Sequence, residues 1–68
     1  MGAPSDHAEL STLRSVLEES TERLVAVADR YRHSEDSAVA ADLDSAERGL
    51  IAARRAIDRA LRDLAELA

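Results

Sequence analysis

Apolar positions recur along this chain with the spacing of helical heptads. In the first half, Leu10, Leu13, Leu17, Ser20, Leu24, Val27 and Tyr31 follow one another at alternating steps of three and four. In the second half, Val39, Leu43, Ala46, Leu50, Ala53, Ile57, Ala60, Leu64 and Leu67 do the same. A stripe of this kind, held over three heptads or more, is the mark of a coiled-coil seam. Ser20 is the one polar member, and no period-two alternation competes. The pattern predicts an all-α fold: one domain, 1–68, with helices over about 6–32 and about 37–67 and a turn over about 33–36.

End signals agree with these bounds. Ser5 or Asp6 suits the N-cap of the first helix, Asp6 with Glu9 fits a capping box, and Pro4 marks the boundary before them. Ser34 or Ser37 suits the cap of the second helix; with Ser34, Glu35 and Asp36 fall in its first turn, where the helix dipole favours acids. Arg30 and Arg32 fall at the end of the first helix, where the dipole favours bases. So short a connection makes the helices antiparallel neighbours.

Folding the chain at that turn pairs the seams. Leu10, Leu17 and Leu24 come to face Ala60, Ala53 and Ala46, while Leu13 faces Ile57, Val27 faces Leu43 and Tyr31 faces Val39. Large against small is how core layers interdigitate. On this pairing, Ala53→Leu should overpack against Leu17 and cost about 1–3 kcal/mol.

A two-helix hairpin has a seam but no enclosed core. Apolar residues also spill past the seam, with Val25, Ala28, Ile51, Leu61 and Ala65 on one flank. Val16, Ala26, Gly49, Ala52 and Ala56 lie on the other and are smaller. Two hairpins laid face to face make a four-helix bundle, and closed twofold dimers are the commonest oligomers. The expectation is therefore a homodimer through the Val25/Ala28/Ile51/Leu61/Ala65 flank, with a heteromeric helical partner as the competing arrangement.

Composition strengthens the case for a partner. A chain of 68 residues is marginal as a single domain. It has no cysteine for a disulfide or thiolate metal site, which leaves oligomerisation as the remaining support. Hydrophobic residues make up 46% but aromatics only 1%, which is Tyr31 alone, and the wealth of Ala, Leu, Glu and Arg is that of long helices. The net charge of −5 disfavours nonspecific binding to nucleic acid or an anionic membrane. The N-terminal run lacks the basic and apolar regions of a signal peptide, and no segment has the length of a membrane span, so the expected location is the cytoplasm.

The heptad layout resembles that of small plasmid-encoded RNA-binding proteins of the Rop type, which are homodimers of helical hairpins with large and small residues paired across core layers. The resemblance extends over most of the chain, rests on no specific motif and transfers no residue roles. It implies a homodimer.

Four constellations bear on chemistry. Ser20, alone among apolar neighbours, either sets register through a polar contact or bonds back to its own helix carbonyl, and the second is the commoner behaviour. The hairpin around His7 is similar to the phosphoacceptor hairpin of histidine kinases, but the acid and Arg-Thr-Pro run that follows the histidine there is missing. Glu18, Glu19 and Glu22 point outward, and neither histidine stands three residues after a glutamate as a di-iron bundle requires, so no metal or cofactor is expected. Arg48, Arg55 and Arg62 recur every seven residues as an exposed stripe, a candidate surface for nucleic acid or an acidic partner; acids interleave with it and no aromatics accompany it. Without a phosphate loop or an activated nucleophile, catalysis is not expected. The sequence therefore reads as a non-enzymatic interaction or regulatory module. A nucleic-acid-binding regulator and a subunit of a heteromeric complex of antitoxin, chaperone or anti-factor type are the alternatives.

Overall fold

A computed structural model describes residues 3–67. Two helices, α1 (Ala3–Tyr31) and α2 (Ser37–Leu67), pack against each other along a body of 52 × 14 × 12 Å. A single rod of this many helical residues would reach roughly 90 Å, so the chain is folded back as a hairpin. Ion pairs from Arg14 to Asp58 and from Arg32 to Asp44 join early α1 to late α2 and the residue just past α1 to early α2, which is the antiparallel sense.

Both helices depart slightly from their expected bounds. α1 begins at Ala3, so Pro4 lies inside its first turn, where a missing N–H removes no helical bond and the fixed φ is already suitable. Asp6 is then a first-turn acid and not a cap. α2 begins at Ser37, which puts Glu35 and Asp36 ahead of it and leaves its first turn without an acid. The Asp36 carbonyl accepts from the Val39 N–H at 2.9 Å, so Asp36 occupies the N-cap position.

Ser34 closes α1 and does not cap α2. Its hydroxyl and its backbone N–H both donate to the Tyr31 carbonyl, at 2.9 and 3.0 Å. The same hydroxyl accepts from the Asp36 N–H at 3.1 Å, a serine turn. One side chain thus satisfies an orphan carbonyl and bends the chain toward α2. Ser34→Ala should cost about 1 kcal/mol, the usual worth of a capping side chain, read from the urea midpoint at constant slope; an unchanged midpoint would show the turn to be indifferent to it.

Arg32 fixes the far side of the turn. Its two terminal nitrogens grip both carboxylate oxygens of Asp44 at 2.9 and 3.1 Å, and its Nε reaches Asp29 at 3.3 Å. A bidentate pair holds geometry better than a single contact. Arg32 donates into Asp44 and holds its carboxyl below the ordinary carboxylate value. A depressed carboxyl contributes stability above its unfolded pKa of about 3.9 and loses it as pH falls through the lower folded value. Asp44→Asn should therefore melt below the parent chain at pH 7, and the gap should close as pH falls below about 4. A gap that persists unchanged in acid would assign the loss to packing and not to the carboxylate.

Candidate interaction surface

Each helix carries a central apolar row. Leu10, Leu17, Leu24 and Tyr31 on α1 and Leu43, Leu50, Ile57 and Leu64 on α2 are all half-buried. Whether neighbouring rows are covered depends on which way the helices roll about these centres. On α2 the result is clear. Ala40 is 3% exposed, and Asp44, Glu47, Ile51, Arg54, Asp58 and Leu61, on the same side, are half-buried. On the other side Val39, Ala46, Ala53 and Leu67 are exposed, and Ala60 is half-buried. On α1, Ala28 is 1% exposed and Val25 and Thr21 are half-buried, whereas Leu13 and Val16 are 45% and 50% exposed. Ser20 and Val27, on the Leu13 side, are intermediate.

The hairpin therefore closes on the flank expected to form the oligomer interface. Val25, Ala28, Ile51 and Leu61 turn toward the neighbouring helix, and only Ala65 of that set is exposed. Conversely, Leu13, Val39, Ala46 and Ala53, all expected in the seam, lie open. Two physical reasons account for the roll. Burying Ile51 and Leu61 removes more apolar area from water than burying alanines. The Arg14–Asp58 and Arg32–Asp44 pairs also lie on that side and bridge the helices there. With Ala53 open, the hairpin itself gives Ala53→Leu nothing to overpack against.

The two faces of the hairpin thus differ in chemistry. One carries the cross-helix ion pairs, together with Glu47 and Arg54. Arg54 is half-buried, and its Nε is buried without a hydrogen-bond partner. The other face holds every large hydrophobic that is exposed among the described residues: Leu13, Val16, Val39 at 39% and Leu67 at 78%. Alanines occupy its middle. Gly49 lies on this side of α2, and a Cβ built there meets nothing within 4 Å, so packing inside the hairpin does not demand a glycine.

At the end where α1 starts and α2 finishes, this face opens into a groove of about 520 Å³. Leu10, Leu13, Ala60, Leu64 and Leu67 line it, together with the acidic residues Asp6, Glu9 and Asp63. Leu10 and Ala60, paired on the sequence, share this groove, but so do Leu13 and Ala60.

Elsewhere on the surface, Arg48, Arg55 and Arg62 are exposed and form no ion pair among the described residues. Ser20 makes no bond to its own helix; that behaviour belongs to Thr12, Ser15 and Thr21, whose hydroxyls donate to carbonyls four residues back, Thr21 to Leu17 at 2.7 Å. Glu18 faces Arg14 at 3.7 Å and Glu19 faces Arg23 at 4.0 Å, both i,i+4 surface pairs of small worth. His7 is exposed. No group of three acidic, histidine or cysteine side chains among the described residues is arranged to hold a metal, and no helix is long and apolar enough to cross a membrane.

No family model, curated protein or solved structure matches this chain.

Proposed function

We propose that this chain is a non-enzymatic interaction module that works as a homodimeric four-helix bundle, two hairpins laid together by their alanine-centred faces. The carrying observation is the segregation of the large hydrophobics exposed among the described residues onto one side of an elongated body, with the cross-helix ion pairs on the other. Exposed apolar side chains gathered on one side of a molecule and edged by polar groups mark a contact surface. A second hairpin supplies the missing layer and turns two seams into one enclosed core.

Light scattering across a dilution series tests this reading. The expected result is a mass of twice 7.4 kDa at micromolar concentration, with a melting midpoint that falls on dilution. A monomer with a concentration-independent midpoint would refute it. Retention on nucleic acid at low salt, with a shallower salt slope in Arg55→Ala, would instead favour the arginine stripe as the working surface.

A further inference from the structure

We infer that the second copy lies antiparallel on the first, turns at opposite ends, with the twofold axis passing Ser20 and Ala53. This rests on the homodimer reading above and adds the arrangement.

The open face carries two rows that are each self-complementary when reversed. On α2, Val39, Ala46, Ala53, Ala60 and Leu67 recur every seven residues, large at both ends and small between. Reversed about Ala53, Val39 meets the partner's Leu67 and Ala46 meets the partner's Ala60, while Gly49 falls beside the partner's Ala56. The two most separated exposed hydrophobics of α2 then cover each other, and the small middle lets the helices approach closely. On α1, Leu13, Ser20 and Val27 are flanked by Glu9, Val16, Arg23 and Arg30. Reversed about Ser20, Leu13 meets the partner's Val27, Ser20 meets the partner's Ser20, and Glu9 meets the partner's Arg30.

These two centres lie on separate helices, yet the fold brings them level. Leu13 and Ala60 line one groove. Ser20 is seven residues after Leu13 and Ala53 is seven before Ala60, so in an antiparallel hairpin the two stand side by side. A single axis can therefore serve both helices, which a closed twofold dimer requires. It also gives Ser20 a role that its own helix does not, since a lone polar residue facing its copy sets the register of a helical interface.

Charge separates this arrangement from the one with both turns at the same end. There, the groove acids of both copies, Asp6, Glu9 and Asp63, would crowd together as six carboxylates. In the antiparallel arrangement those carboxylates part to opposite ends, and Glu9 meets the partner's Arg30. Two unfavourable contacts remain, Asp42 near the partner's Asp63 and Asp6 near the partner's turn acids Glu35 and Asp36.

The chain has no cysteine, so a single one placed in the exposed turn reports the arrangement cleanly. Spin-labelled Glu35→Cys should give an inter-label distance of about 45 Å, twice the helical run from the axis to the turn. Asp42→Arg should tighten association about two- to tenfold by facing the partner's Asp63; with both turns at one end it would face the partner's Arg30 and loosen it. A dimer with labels about 20 Å apart, or one that Asp42→Arg weakens, overturns the antiparallel arrangement and leaves the homodimer standing. A monomer overturns both.

Discussion

Ala53→Glu is expected to split the dimer into single hairpins at micromolar concentration, with a dissociation constant raised at least about 100-fold, or about 2.8 kcal/mol. In the isolated hairpin Ala53 is exposed, so a glutamate there meets water and the interior of the hairpin is untouched. Glutamate is also a good helix former, close behind alanine. In the proposed dimer the same position lies on the axis, and both copies would bring a carboxylate to one point in the contact. Burying like charges without a counter-ion costs several kcal/mol. Sedimentation should show the halved mass, while circular dichroism at the same concentration should retain helix. If Ala53→Glu still dimerises with unchanged affinity, the alanine face is not the interface.

The hairpin is legible in the sequence because both helices have strong periodic stripes and a short polar break between them. Their ends are less so: Pro4 reads as a boundary because proline often precedes helices, and it is equally at home in a first turn. Ser34 reads as a cap for α2, whereas its hydroxyl serves α1. The roll of the helices is the larger loss. The apolar sector of α2 runs from Ile51 round to Gly49, wider than one neighbouring helix can cover, so the pattern admits two solutions. The row Ala40, Glu47, Arg54, Leu61 does not stand out because two of its four members are charged. Yet Glu47 and Arg54 are half-buried in it, and even the Nε of Arg54 is out of reach of solvent. A polarity rule scores whole residues, and long charged side chains are apolar for most of their length. The alanine row looks like the better seam for the same reason. The ion pairs that decide the roll, Arg14 with Asp58 and Arg32 with Asp44, join residues far apart in sequence and have no periodic signature.

Two leucines four residues apart should answer differently to the same truncation. Leu17 belongs to the central row, half-buried against α2, and Leu17→Ala should cost about 2 kcal/mol, the low end for a leucine truncation because the site is only partly enclosed. The loss should appear at every protein concentration, since the seam exists with or without a partner. It is large against a total stability of roughly 3–10 kcal/mol for a chain of this size. Leu13 is 45% exposed on the open face. Leu13→Ala should weaken association but leave the hairpin's own stability within about 0.5 kcal/mol, the usual range for a surface change. The Ala53→Glu background isolates the hairpin. There, Leu17→Ala should lower the melting midpoint by about 10 °C and Leu13→Ala should leave it in place. Equal shifts in that background would put Leu13 in the seam with Leu17, and the open face would have to be sought on the other side of the molecule.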